Sequence, residues 1–317
     1  MDKLLYFYNK YSKGLKMTWT TGTINTPDAW SGIAYGAGIF ATVANISSNS
    51  SYSTDGITWT PGVTQPSSPS RYLTSIMPVN AYWQNITYGN GKFVAVATGA
   101  YSAISIDGAN WTFVNLPKSK NWQSVAYGSD YFVAVGSGFT TKFGYPYGNQ
   151  TVGVTPDPHD WANSLMDVSL PWTEVAYGLG QFVAITSNSN SSSSSTTGAS
   201  WVTSNAMPVA QNWTGLAFGN NRFVAVAANS NVAAYSLNGS TWTASTLPGA
   251  EQWTSIAYGN GTFISVANNS NVAAVSTDGV TWTTEAMPAT QPWTAITFGQ
   301  DRFVAVACNT TVTAVRV

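Results

Sequence analysis

The spacing of tryptophan constrains this chain more than any other feature. It holds 14 tryptophans in 317 residues. All of them belong to one recurring unit, two per unit. The first of each pair opens a near-constant stretch: Trp30 (WSGIAYGAGIFATV), Trp83 (WQNITYGNGKFVAV), Trp122 (WQSVAYGSDYFVAV), Trp172 (WTEVAYGLGQFVAI), Trp213 (WTGLAFGNNRFVAV), Trp253 (WTSIAYGNGTFISV) and Trp293 (WTAITFGQDRFVAV). Successive spacings are 53, 39, 50, 41, 40 and 40 residues. The second of each pair is Trp59, Trp111, Trp161, Trp201, Trp242 or Trp282, and Trp19 near the N-terminus makes the seventh.

Each unit reads as four strands. In the unit at Trp253, WTSIAYG alternates with period two and ends at Gly259, and Asn260-Gly261 marks a tight hairpin. FISVA is a second, β-branched run, NVAAVS a third, and VTWTTE a fourth that carries the second tryptophan. Prolines in the closing AMPATQP are expected to stop the sheet and lead to the next unit. Four short strands repeating near 40 residues predict an all-β, seven-bladed β-propeller with four-stranded blades. The last unit stops at Val317 after three strands. The segment around Trp19 is therefore expected to pair in the C-terminal blade and close the ring, leaving no open sheet edge. Residues 1–16 lie outside the repeat and read as an N-terminal arm, with residues 17–317 as the propeller.

Composition narrows the function. Charged residues make up 8% of the chain and net charge is −1, far from the roughly 25% charged residues of average domains. Ser, Thr and Asn supply the polar surface, and there is no basic footprint for nucleic acid. No apolar run reaches the ~20 residues of a membrane-spanning helix. The lone Cys308 reads as a small buried apolar residue. No His/Cys cluster points to a metal and no phosphate-binding loop to a nucleotide, so neither metal nor cofactor is expected. The lone His159 reads as a surface turn residue. Lys3 and Lys10 interrupt any secretory core, while Leu4, Tyr8, Tyr11 and Leu15 fall at helical spacing, which suits an arm that docks on a larger assembly. Asn-x-Ser/Thr triplets inside the repeat, at Asn212 and Asn260, argue for a bacterial or viral source.

Between the third and fourth strands, four units carry a turn of the form Ser-x-Asp-Gly-x-x-Trp, centred on Asp55, Asp107, Asn238 and Asp278. The turns ending at Trp161 and Trp201 are degenerate. An acidic or amide side chain there accepts backbone N–H groups, and the glycine permits positive φ. In these turns the chain resembles the Asp-box, or bacterial-neuraminidase-repeat, propellers. In that family the Asp boxes are structural and face away from the catalytic site. The repeat over its whole length is also similar in style to propellers of bacteriophage tails and virions.

A sialidase of the resembled family requires three arginines on a sugar carboxylate, a Tyr–Glu pair and an acidic Asp. This chain has Arg71, Arg222, Arg302 and Arg316. Arg222 and Arg302 share a repeat position on the Asp-box side, Arg316 lies in the final strand, and only Arg71 is well placed. Glu174, Glu251 and Glu285 read as scattered, and no repeat position supplies the facing carboxylate pair of a glycosidase. The expectation is no catalytic residue and no enzymatic activity.

Binding residues are expected on the opposite face, where both long insertions map. Residues 61–82 include Arg71 and Tyr72; residues 137–150 include Phe143, Tyr145 and Tyr147. Aromatic faces beside an arginine suit a sugar or protein ligand, and equally suit packing of the loops themselves. Asn188, Asn229 and Asn269 recur on the same face, as ligand amides or as turn residues. The resemblance implies a non-enzymatic virion or tail component located in the virion or outside the cell. Such a component recognises a host-surface glycan or protein and contacts other virion proteins through residues 1–16. A decoration or scaffold protein, a free multivalent lectin and a divergent sialidase are the alternatives.

Overall fold

The structure is a computed structural model describing residues 18–62, 80–137, 142–144, 161–164, 166–204 and 206–317. The arm at residues 1–16 lies outside them. Every regular element among the described residues is a β-strand.

Each unit opens with a strand such as Trp213–Gly219, turns through a two-residue hairpin, and returns along Arg222–Ser236. The hairpin residues Asn220 and Asn221 have φ of 47° and 56°, the left-handed pair that a tight antiparallel turn needs. The first part of the returning strand is apolar without alternation, and Phe223 to Ala227 are all fully buried. A strand covered on both faces loses the period-two signal for this reason. One face packs on the unit before and the other on the unit after. Ala217, Val224 and Val226, for example, join Trp253, Ile256, Phe263 and Trp282 of the following unit in one core. Ala295, Val304, Val306 and Val315 join Trp30, Ile33, Phe40 and Trp59, so the last unit packs on the first.

The two chain ends meet in one sheet: Trp19–Thr23 pair antiparallel with Arg316–Val312. The expected ring of seven four-stranded blades is nevertheless not what the described residues form. Hydrogen bonding joins them into three sheets of 12, 4 and 6 strands. The reason is that two of the expected boundaries vanish. Second and third strands run together, as in Arg222–Ser236 and Lys92–Ser105. Fourth strands run on through the connector into the next unit, as in Thr112–Gly128 and Thr243–Gly259.

Pro117, Pro248 and Pro288 therefore do not end their strands, whereas the strand Thr283–Gln291 does stop at Pro292. Glu251 and Gln252 pair with Ser230 and Ala228, Thr246 pairs with Val232, and the residues between Thr246 and Glu251, Pro248 included, bulge out where no ladder hydrogen bond is required. The residue before that proline is the anchor: Leu247 is buried, as are Met207 and Met287 at the same point of their units.

A second correction concerns the second tryptophans. Trp59, Trp242 and Trp282 stand one residue before the strands Thr60–Pro61, Thr243–Gly259 and Thr283–Gln291, at the end of the turn rather than on the strand. The turns themselves are built as their residues dictate. Asp55 Oδ1 accepts the backbone N–H groups of Ile57 and Thr58, both at 2.8 Å. Asp107, Asn238 and Asp278 do the same for their own second and third neighbours. The N–H donors from Thr281 and Val280 hold the Asp278 carboxyl at about 2, against partial burial, which acts the other way. For Asp55, burial raises the carboxyl, but the Thr58 and Ile57 donors prevail and it titrates below the usual carboxylate value. Gly56, Gly239 and Gly279 all take positive φ. A Cβ on Gly279 would come 2.6 Å from Val224 of the preceding unit, so the turn is also a packing surface.

Candidate functional site

The seven opening strands converge on one pocket. Every one of them breaks register immediately after its tryptophan: Trp30 pairs with Ala44 and Gly32 with Val43, and the same shift follows Trp83, Trp122, Trp172, Trp213, Trp253 and Trp293. A bulge places two residues opposite one and turns both toward the same side. Here it presents the first and second residues after each tryptophan to the interior.

The first positions form the mouth: Ser31, Gln84, Gln123, Thr173, Thr214, Thr254 and Thr294. Where the residue is Ser or Thr, its hydroxyl donates to the carbonyl of the next unit's tryptophan. These bonds run from Ser31 to Trp83 at 2.6 Å, Thr173 to Trp213 at 2.9 Å, Thr214 to Trp253 at 2.7 Å, Thr254 to Trp293 at 2.9 Å and Thr294 to Trp30 at 2.7 Å. The second positions form the wall below: Gly32, Asn85, Ser124, Glu174, Gly215, Ser255 and Ala295. Beneath them Ile33, Val125, Val175, Leu216, Ile256 and Ile296 make an apolar floor. The cavity volume is about 170 Å³, below the ~300–1,000 Å³ of pockets that enclose a drug-sized ligand, so it admits a small group or one end of a larger ligand.

One arc of this pocket departs from the pattern. Three consecutive units contribute Gln84 and Asn85, Gln123 and Ser124, and then Glu174. The remaining arc carries only small side chains. Gln84 and Gln123 replace the hydroxyls that staple neighbouring units, and Gln123 turns instead to Asn121 Oδ1 at 2.8 Å. Ser124 donates to Glu174 Oε2 at 2.8 Å and accepts the Val175 backbone N–H at 3.3 Å. Glu174 is half-buried, its carboxyl set into the pocket wall among protein atoms. Burial pushes its carboxyl up to about 8, with the Ser124 hydrogen bond acting in the opposite direction. Of the residues lining the two connected cavities, it is the only one with an ionisable side chain.

Sequence reasoning passed over Glu174 as scattered. Aligning the units on their tryptophans exposes it: one second position holds an acid where six hold Gly, Ala, Ser or Asn.

The residues singled out from sequence fall elsewhere. Arg71, Tyr72, Tyr145 and Tyr147 lie outside the described residues, as does His159. Phe143 belongs to a short strand, Lys142–Gly144, paired with Ala134 and Asn163, so the segment 137–150 is not all insertion. Asn188, Asn229 and Asn269 are exposed, with φ of 54°, 55° and 52°, and none lines the pocket. Asn188 and Asn269 lie in the turn between second and third strands, and Asn229 lies at the same point of a continuous strand. Arg302 donates to the Asp55 carbonyl at 2.9 Å, Arg222 lies over the Tyr235 ring, and Arg316 pairs with Glu285 at 2.8 Å, so these three serve the framework. Among the described residues, no group of three or more His, Cys, Asp or Glu is arranged to hold a metal ion, and no helix is long and apolar enough to cross a membrane.

No protein-family model and no curated protein matches the chain. Solved structures do. Virginiamycin B lyase from Staphylococcus aureus superposes with a TM-score of 0.78 at 10% identity, over 95% of this chain and 99% of that one. YCF48 bound to D1 peptide gives 0.70 at 15%, over 94% and 96%. The Neurospora crassa Pan2 WD40 domain gives 0.67 at 8%, over 94% of each. At these identities the likeness shows the fold alone, which is β-propeller-like.

The lyase overturns one expectation. Enzymatic activity was excluded because the arginine triad and carboxylate pair of a glycosidase are missing. An enzyme of different chemistry shares this architecture, so their absence does not exclude catalysis.

Proposed function

We propose that this protein is a recognition component of a bacteriophage particle that takes a hydroxyl-rich host-surface ligand, a glycan, at the pocket arc formed by Gln84, Asn85, Gln123, Ser124 and Glu174. The observation that carries this reading is the break in a sevenfold pattern. Framework requirements are alike in all units, and the Ser or Thr staple meets them in five. Two adjacent units give up the staple for amides, which donate and accept at once and so match sugar hydroxyls. The Asp-box-like turns, the charge-poor surface and the repeat style support the virion setting, with residues 1–16 as the attachment arm.

A glycan array read with the wild type and with the Gln84→Ala/Gln123→Ala double variant tests the reading. Loss of two side-chain hydrogen bonds of about 1 kcal/mol each lowers affinity by about tenfold or more. The same variant is expected to slow adsorption of particles to host cells. Unchanged binding by the double variant would remove the pocket from recognition.

A second reading is a structural virion protein that grips an extended segment of a neighbour. It is favoured by the peptide carried by the similar YCF48 structure. A blank array together with co-purification in particles supports it.

A further inference from the structure

We propose that the wall of this pocket is a receptor for the ammonium group of an amino sugar, held on Glu174. The inference rests on the pocket being a glycan site and names the kind of sugar it takes.

Three observations lead there. Glu174 uses Oε2 for Ser124, while Oε1 has no hydrogen-bond partner among the described residues and opens to the pocket. Among the described residues lining the pocket no cation faces it: the other six opening strands present Gly32, Asn85, Ser124, Gly215, Ser255 and Ala295, none of them titratable. Nor does the framework need an acid, because the equivalent position works as Ser, Asn, Gly or Ala in every other unit. In the free protein the carboxyl avoids the cost of a charge by keeping its proton, and a cation in the pocket is what would let it ionise. A ligand ammonium supplies both the charge and the donors, and charge-assisted hydrogen bonds of this kind are the strong ones. The Asn85 amide and the Thr173 and Thr214 oxygens at the mouth lie where the sugar hydroxyls would follow.

The proposal has a thermodynamic signature. Near neutral pH the carboxyl holds its proton, since burial raises it to about 8. Binding an ammonium ion ionises it, and the proton leaves to the buffer.

The test is isothermal titration of the full chain with 6-amino-6-deoxyglucose and with glucose at pH 7, each in two buffers of different ionisation enthalpy. The amino sugar is expected to bind about tenfold tighter or more, releasing close to one proton per ligand by linkage. Release is expected to vanish above pH 9. Glu174→Gln, which keeps the shape and is checked for folding by circular dichroism, is expected to remove both the preference and the proton release while still binding glucose. Equal binding of the two sugars, or an amino-sugar preference that survives in Glu174→Gln, overturns the inference and leaves the glycan reading standing. Stronger binding of glucose without proton release assigns Glu174 as a neutral donor and also overturns it. Failure of the amino sugar to bind overturns the inference, and the glycan reading is then decided by the array.

Discussion

At the scale of single residues, the point where the second strand passes into the third shows what backbone geometry demands. Six units place a residue there with positive φ: Ile46, Gly99, Asn188, Asn229, Asn269 and Asn309. Asn and Gly tolerate the left-handed region, Asn because its short amide satisfies nearby backbone groups. Ile46 does not, since a β-branched side chain crowds the following carbonyl there. It is 67% exposed, so no burial compensates. Ile46→Asn is therefore expected to raise stability by about 1 kcal/mol, read as a higher urea midpoint with unchanged slope. An unchanged or lower midpoint would mean that Ile46 makes contacts worth more than the strain.

At the scale of the element, the opening strands end in a glycine whose role is space rather than φ. Gly259 lacks positive φ, but a Cβ on it would lie 1.9 Å from Cγ of Phe298 in the next unit. The same contact recurs from Gly36 to Tyr88, Gly178 to Phe218 and Gly299 to Tyr35. Each aromatic ring lies flat on a bare backbone, and this spacing brings the strands close enough to enclose a narrow pocket. Gly259→Ala is expected to destabilise by about 2 kcal/mol or more through overpacking. Gly249→Ala, on an open connector where the nearest atom is 3.8 Å away, is expected to stay within about 0.5 kcal/mol. Thermal denaturation of the pair decides it: equal effects would remove the close-packing argument.

At the scale of the whole molecule, one carboxyl links stability to pH. The folded protein holds the Glu174 proton up to about pH 8, whereas the unfolded chain releases it near 4.5. The folded state thus binds more protons over that interval, and stability falls as pH rises from about 4.5 to 8, then levels. Glu174→Gln removes this slope. It is expected to exceed the wild type at pH 7 by at most about 3 kcal/mol, and to match it near pH 4. Melting temperatures of both proteins from pH 4 to 9 measure the difference. Parallel curves would show that Glu174 is solvated like a surface acid. A group that weakens the free protein at neutral pH is expected where a ligand is to be held.

The repeat, its opening hairpin and the acids of the turns were readable from the chain alone, whereas seven separate four-stranded blades are not what the described residues form. Period-two alternation, Asn-Gly hairpins and Ser-x-Asp-Gly turns act over a few residues, so the information lies within each unit. The joining of strands across connectors was not readable. Prolines mark a stop only when every residue must donate, and the bulge at Pro248 excuses it. Nor was the site. Whether the second residue after a tryptophan faces water, a core or a pocket depends on one extra residue in a bulge. It depends also on bringing together strands as far apart in sequence as Trp30 and Thr294. Local pattern determined what each unit is made of. Only packing of the units against one another decided that Glu174 stands inside a pocket, without a cation, where burial holds its proton.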